Sequence, residues 1–257
     1  MSQPHILRND EQAVMTITLN RADKLNAITP EMIEFIAESL TEFRNNTDFK
    51  VLLVKANGKF FSAGMDISGG MGDGGSSGVD FRNWYRNSLH TLFDEFEHIE
   101  KPIVFAIHAP CLGGALEMAL SADFRLCSES ASFTLPETNL GVIPGSGGTS
   151  RLTRIVGTAW AKWMIMAAQK VPAQKAARIG LVHEVYPDKD FDKQVATFVQ
   201  HLASLPRETV GLAKLTIETV RDLDRASGRN VERMANTWLT MSDEHKSIME
   251  QFSQKKK

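Results

Sequence analysis

The longest apolar stretch of the sequence runs from residue 103 to residue 120, and it limits the folds open to the chain. Gly113 and Gly114 interrupt the stretch. The apolar residues 103–107 predict a strand covered on both faces, as in a parallel sheet. The residues after the glycines predict a buried helix that runs toward Asp123. A buried strand joined to a buried helix by a glycine turn is typical of α/β folds.

Glu117 is the only ionisable residue between Leu112 and Leu120. Burying a lone carboxylate is costly unless the group is hydrogen-bonded, paired or protonated. A role in catalysis is the most economical explanation for such a residue. The structural alternative is a glutamate in the first turn of a helix, where the helix dipole favours a negative charge.

The rest of the chain alternates strands with amphipathic helices over its first three-quarters and is mainly helical after that. This alternation predicts an α/β fold with right-handed crossovers. The predicted strands are 14–19, 51–54, 103–107, 124–127 and 132–135. The predicted helices begin after the Thr29 cap and the 68–78 segment, then cover 149–168, 173–179, 191–205, 208–223 and 230–252.

Composition and charge exclude several classes of protein. The formal net charge of −2 over 257 residues argues against a dedicated nucleic-acid binder. Two cysteines, Cys111 and Cys127, are too few for a disulfide framework, and no metal-ligand spacing is present. A nucleophile–base pair of Cys111 and His108 has little support. No signal peptide and no membrane span are visible, so we expect a cytoplasmic protein.

A second carboxylate and two small-residue turns complete a possible catalytic site. Glu137 follows Pro136 in a predicted loop, where the structural alternative is a solvated side chain. Two carboxylates at one site permit general acid and general base catalysis on one substrate. The 113–114 turn and the 63–66 turn, if they face each other, can bind one oxygen as an oxyanion hole. The alternative is that their glycines only allow tight packing. The glycine-rich loop 145–148 matches no phosphate-binding or nucleophile motif, and we assign it no role.

Five ordered motifs resemble the enoyl-CoA hydratase/isomerase (crotonase) superfamily over nearly the whole chain. They lie at residues 20–27, 61–67, 113–119, 133–149 and 173–182. The resemblance implies a crotonase-like α/β fold, a spiral of ββα units with a C-terminal helical trimerisation region. It implies a catalytic and CoA-binding core over residues 1–195 and an oligomerisation region over 196–257. A homotrimer, or a hexamer built as a dimer of trimers, is expected.

The resemblance also implies the roles of individual residues. The substrate is an acyl-CoA thioester, and no permanently bound cofactor or metal is implied. The backbone N–H groups of Met65 and Gly114 are expected to form the oxyanion hole. Glu117 and Glu137 are expected to hold the water that adds to the 2,3 double bond of an enoyl-CoA, with Glu137 exchanging the proton on the α-carbon. The residues expected along CoA, whose adenine is read largely by main-chain atoms, are Lys24, Leu25, Ala27, Ala63, Asp66 and Ile67.

Some positions depart from the family pattern, and other functions remain open. Ala115 occupies the position of the usual third glycine. The tail over residues 242–254 lacks the Glu-Gly pair often found in the last helix, so CoA contacts there are not assigned. The glycine-rich segment 68–78 is either a surface loop or a lid that orders on substrate binding.

Alternative enzymes are an isomerase, a decarboxylase or a C–C lyase using the same enolate. A non-catalytic RNA-binding homologue is disfavoured by the charge. A serine protease of related fold is also disfavoured, because it needs a Ser–His pair and this chain has no serine where the helix begins at Gly114.

Overall fold

The structure is a computed structural model that describes residues 4–68 and 77–254. Within these ranges nine strands and ten α-helices follow one another along the chain. The strands are β1 Ile6–Glu11, β2 Val14–Leu19, β3 Val51–Ala56, β4 Ile103–Ile107, β5 Cys111–Leu112, β6 Phe124–Ser128, β7 Ser132–Thr134, β8 Val171–Pro172 and β9 Glu184–Tyr186. The helices are α1 Pro30–Asn45, α2 Gly78–Tyr85, α3 Thr91–His98, α4 Gly114–Leu120, α5 Gly148–Ile165, α6 Ala173–Arg178, α7 Phe191–Ser204, α8 Arg207–Val220, α9 Arg225–Met241 and α10 Asp243–Gln254.

Two sheets carry the strands. The larger sheet has the order β1-β2-β3-β4-β6-β9, and the smaller one has the order β5-β7-β8. In the larger sheet only the β1–β2 pair is antiparallel, and the other pairs are parallel. Every residue of β4 is buried, as the apolar sequence of this central strand predicts. The parallel order confirms the crossover connections expected from the alternation of strands and helices.

The main hydrophobic core lies between the larger sheet and the helices α1, α3, α4 and α5. Phe43 from α1, Phe96 from α3 and Phe105 from β4 are fully buried members of this core. A second, smaller cluster forms where α7 packs on the other face of the sheet, through Val195 and Val199. Helix α7 therefore spans the domain boundary predicted at residue 195, and it packs on the catalytic body.

Several boundaries differ from the sequence-based expectations. The prediction of one helix over 230–252 is wrong, because the structure has two helices there, separated at Ser242. The Ser242 hydroxyl accepts a hydrogen bond from the His245 N–H at 3.1 Å, and this bond caps the start of α10. Strand β1 was not predicted, since its sequence is polar and four of its six residues are exposed. Most of the 68–78 segment, the possible lid, lies outside the described residues. No helix in the described part of the chain is both long and apolar enough to cross a membrane.

Candidate active site

Glu117 lies in α4, a helix whose seven residues are all buried. Its side chain is only 3% exposed. One carboxylate oxygen, Oε1, accepts two backbone hydrogen bonds, from Ser146 N–H at 2.7 Å and from Gly148 N–H at 3.0 Å. Two donors of a neighbouring loop thus hold this buried carboxylate through one oxygen, and these two hydrogen bonds leave its second oxygen, Oε2, unused.

The pKa of Glu117 departs strongly from its ordinary value. Burial, and after it the charge of Glu137, raises the pKa of Glu117 to about 7. The backbone hydrogen bonds from Gly148 and Ser146 and the positive charge of Arg151 act in the opposite direction. A carboxylate with a pKa near neutrality can accept a proton and release it again under physiological conditions.

The loop of residues 145–148, called the carboxylate loop below, therefore belongs to the site. The expectation that this loop has no role in the site is wrong, because its backbone donates both hydrogen bonds to Glu117. A Cβ added to Gly148 would lie 2.7 Å from Glu117 Oε1, so only glycine allows this approach. Arg151 stabilises the loop. Its largely buried guanidinium is ion-paired with Asp94 and Glu97, and its Nη1 lies 3.4 Å from the Ser146 carbonyl oxygen.

Glu137 begins a 3-10 turn, Glu137–Leu140, directly after Pro136. Its oxygen Oε2 is buried and has no hydrogen-bond partner within residues 4–68 and 77–254. Burial raises the pKa of Glu137. The other oxygen, Oε1, lies 3.2 Å from the point where a Cβ of Gly113 would stand. The alternative of a fully solvated Glu137 side chain is therefore wrong. Glu137 lies beside the glycine turn that begins α4.

The two small-residue turns face each other, as an oxyanion hole requires. A Cβ built on Gly64 would lie 3.3 Å from the Gly114 nitrogen, and a Cβ built on Gly114 would lie 3.7 Å from the Met65 nitrogen. Gly64 and Gly113 both have positive φ angles, +95° and +54°, which glycine adopts without strain. Among the described residues, neither the Met65 N–H nor the Gly114 N–H donates to another backbone carbonyl. Both are available to an oxygen between them.

The residues expected to contact CoA come from two segments that the structure joins. Ala63 N–H donates to the Leu25 carbonyl at 2.9 Å, and Asp66 N–H donates to the Ile28 carbonyl at 2.9 Å. Leu25 and Ile67 are exposed, at 41% and 53%. Lys24 and Ala27 lie on the first segment, Lys24 in the 3-10 turn Ala22–Lys24. The expected surface is therefore contiguous, although its role in CoA binding stays a prediction.

Asp66 has a partner that the sequence did not indicate. Its Oδ2 lies 2.6 Å from Arg21 Nη1, and both side chains are mostly shielded from solvent. Arg21 Nη1 also donates to the Ala27 carbonyl at 3.1 Å. This ion pair holds the 63–67 turn against the 20–27 segment.

A cavity of about 890 Å³ opens beside Met65, between α1 and the α2–α3 region. Trp84 and Tyr85 lie on its wall. Trp84 packs against the main hydrophobic core and also lines this cavity. Tyr85 was missed, because an isolated tyrosine on a helix gives no local signal. Burial, together with the charges of Glu117 and Glu137, raises the pKa of Tyr85, while the nearby Ser146 hydroxyl lowers it.

Cys111 and His108 do not join this site. Cys111 is completely buried in β5, and burial raises the pKa of its thiol. His108 Nε2 is instead bonded to the Gly58 carbonyl at 2.8 Å. A nucleophile–base pair of these two residues is therefore not formed. Among the residues that the structure describes, no group of three or more histidine, cysteine, aspartate or glutamate side chains could hold a metal ion.

Comparisons with known proteins find relatives over nearly the whole chain. A family model described as enoyl-CoA hydratase/isomerase matches residues 9–257. A probable mitochondrial enoyl-CoA hydratase of Arabidopsis thaliana is 30% identical over 98% of this chain and 82% of its own length. A carnitinyl-CoA dehydratase of Salmonella enteritidis is 33% identical over 87% of this chain and 80% of its own length.

Solved structures share the fold. The crystal structure of an enoyl-CoA hydratase from Bacillus anthracis superposes with a TM-score of 0.90 at 29% identity, covering 98% of this chain and 97% of the other. A hydratase structure from Geobacillus kaustophilus gives a TM-score of 0.89, also at 29% identity, over 98% and 96% of the two chains. The predicted fold class, the crotonase-like α/β fold with C-terminal helices, is confirmed.

Proposed function

The chain belongs to the enoyl-CoA hydratase/isomerase family, and from this premise we propose that it adds water across the 2,3 double bond of a 2-enoyl-CoA to give a 3-hydroxyacyl-CoA. Family membership confirms the expectation of an enzyme and supports a CoA thioester as its substrate. The reaction and the roles of individual residues are our proposal.

One observation carries the proposal: a buried carboxylate, Glu117, and a half-buried one, Glu137, flank the turn that begins α4. Glu117 is fixed through Oε1 by two backbone donors. Glu137 presents an oxygen with no partner among the described residues. Isomerisation needs one group that moves a proton between two carbons, whereas hydration needs a base for water and an acid for carbon. A pair of carboxylates therefore favours hydration.

The steps follow from this arrangement. Glu117 removes a proton from the water while the water oxygen bonds to C3. The electrons of the double bond move toward the thioester oxygen, which forms the enolate. The N–H groups of Met65 and Gly114 stabilise that enolate oxygen, aided by the positive end of α4. Glu137 then gives its proton to C2, and the thioester carbonyl re-forms. Burial raises the pKa of Glu137, which favours the proton that this step requires on its carboxyl group.

Replacing either carboxylate tests these roles. We expect Glu117→Gln and Glu137→Gln each to lower the rate of crotonyl-CoA hydration by about 10²–10⁴-fold, since neither amide can transfer the proton. Loss of the enone absorbance band measures the rate. Glu129→Gln, at an exposed turn after β6, is the matched control and should keep wild-type activity.

A second measurement separates the two roles. Exchange of the α-protons of a saturated acyl-CoA with deuterated water needs only the oxyanion hole and the group that moves the proton at C2. We expect Glu137→Gln to abolish this exchange and Glu117→Gln to retain it. Wild-type protein that binds acyl-CoA and converts a 3-enoyl-CoA to a 2-enoyl-CoA, but leaves crotonyl-CoA unchanged, would be an isomerase, and the hydratase proposal would be wrong.

We also propose that the C-terminal helices assemble the chain into a trimer, or a hexamer of two trimers. Exposed apolar side chains on α9 support this, with Met234, Trp238 and Met241 each at least 65% exposed. Because α7 packs on the sheet, we propose that the oligomerisation region begins after α7, at about residue 206, rather than at 196.

A further inference from the structure

A single peptide unit connects His90 to the proposed catalytic base. His90 Nε2 lies 2.7 Å from the Gly145 carbonyl oxygen. The next backbone N–H, that of Ser146, donates to Glu117 Oε1 at 2.7 Å. The Gly145 carbonyl and the Ser146 N–H belong to one peptide bond, which is planar and trans, so they point in opposite directions. His90 and Glu117 therefore hold this peptide from its two sides.

The chemistry of the acceptor fixes the proton on His90. A carbonyl oxygen can only accept a hydrogen bond, so Nε2 carries the hydrogen and donates it. A donor on the carbonyl polarises the peptide and makes its N–H a stronger donor at the other side. The hydrogen bond from His90 thus strengthens the one that Glu117 receives.

The local backbone explains why His90 reaches the loop. A π-helical turn, Arg86–His90, separates α2 from α3. Its wider turn places Tyr85 and His90 on the same side of the helix, with ring centroids 5.4 Å apart and the rings nearly perpendicular at 87°. A Cβ on Gly145 would lie 3.1 Å from Tyr85 Cε1. The tyrosine ring therefore packs against the carboxylate loop and fixes the orientation of the histidine.

We propose that His90 is a positioning residue for Glu117: it donates to the Gly145 carbonyl and so orients and polarises the peptide whose N–H binds the Glu117 carboxylate. This inference rests on the proposed function, in which Glu117 is the base. The charged and titratable groups that face Glu117 are Glu137, Tyr85 and Arg151. A change confined to His90 replaces none of these three side chains.

Two variants separate the hydrogen bond from the packing of the ring. His90→Leu fills the space but removes the donor, and His90→Gln places an amide N–H near the position of Nε2. His108→Leu is the matched control, because His108 Nε2 makes the same kind of bond, to the Gly58 carbonyl at 2.8 Å, away from the two glutamates. His90→Asn, which is too short to reach the loop, replaces His90→Leu should that variant not fold.

The first readout is the pKa of Glu117 itself. Carbon NMR of protein labelled at the glutamate carboxyl carbons measures this pKa, and the Glu117→Gln variant assigns the signal. We expect His90→Leu to raise this pKa, His90→Gln to restore it and His108→Leu to leave it unchanged. An unchanged pKa in His90→Leu overturns the inference. This titration needs no substrate, so it decides the role of His90 even if the protein is not a hydratase.

The second readout is the rate of crotonyl-CoA hydration. We expect kcat to fall about 10-fold or more in His90→Leu, because a misplaced base loses its alignment with water. KM should change little, since His90 is not among the residues that line the cavity beside Met65. His90→Gln should recover most of kcat. Equal losses in His90→Leu and His90→Gln would show that only the packing of the imidazole ring matters.

Discussion

At the scale of single residues, the burial of Glu117 lowers the free energy of unfolding to an extent that depends on pH. Burial and the charge of Glu137 raise its pKa from 4.5 to about 7. Between these two pH values the folded protein keeps the proton, while the unfolded chain releases it. The folded state then binds more protons, so rising pH lowers the free energy of unfolding across this range. Below pH 4.5 both states are protonated, and the destabilising contribution disappears.

We therefore expect Glu117→Gln to be more stable than wild type at pH 8, by up to about 3 kcal/mol. The glutamine oxygen still accepts the two backbone bonds but does not ionise. The difference should shrink toward zero as the pH falls to 4.5, and denaturant unfolding at several pH values measures it. Glu38→Gln, at an exposed position of α1, is the control. A difference that stays constant with pH contradicts a raised pKa for Glu117.

The residues of the site divide by whether their chemistry shows in the local sequence. Glu117 could be predicted because a carboxylate interrupts an apolar helix. Tyr85, His90 and Ser146 could not, since their contacts depend on main-chain geometry formed by segments far apart in sequence. His90 and the Gly145 carbonyl, for example, are 55 residues apart. No periodicity or motif within one segment encodes such a contact.

At the scale of elements, α8 is attached to the body of the protein by a buried lysine. Lys214 Nζ donates to the Phe96 carbonyl at 2.7 Å and pairs with Asp123 Oδ2 at 2.9 Å. The lysine side chain is only 8% exposed and the aspartate side chain 16%. Burial raises the pKa of Asp123, and Lys214 opposes this. The two buried charges thus neutralise each other, and the ion pair connects α8 to the rest of the protein.

Removing the lysine should leave that aspartate buried without its partner. We expect Lys214→Met to lower the free energy of unfolding by about 3–5 kcal/mol, measured by denaturant titration. Adding Asp123→Asn should recover part of the loss, because no unpaired charge then remains. Lys246→Met, which breaks an exposed pair with Asp243, is the control and should cost at most about 1 kcal/mol. Equal effects of Lys214→Met and Lys246→Met would contradict the anchoring role.

Elements with a strong apolar pattern were predicted well, and elements without one were not. Strands β2 and β4 have the bounds expected from the sequence. Strand β1 was missed because an edge strand exposed to solvent needs no apolar alternation. The break between α9 and α10 was missed because an apolar pattern continues across Ser242. The backbone bond to the serine hydroxyl, rather than hydrophobicity, ends one helix and begins the next.

At the scale of the whole molecule, α9 carries an apolar face that the single chain leaves in solvent. Met234, Trp238 and Met241 are 65%, 72% and 72% exposed. Their spacing of four and three residues places them on one side of the helix. Exposed apolar groups in a row of this kind mark a surface for association. The apolar row therefore agrees with the proposed trimer, in which it is covered by another copy of the chain.

Introducing a charge into this row should prevent assembly. We expect Trp238→Glu to be monomeric in size-exclusion chromatography with light scattering, whereas the wild type has the mass of a trimer or hexamer. A buried glutamate without a partner is costly, so the interface does not tolerate it. Asn236→Glu is the control, because two residues along a helix lie on nearly opposite sides, and its mass should equal that of the wild type. A wild-type monomer, or a Trp238→Glu protein of unchanged mass, would show that α9 does not form the interface.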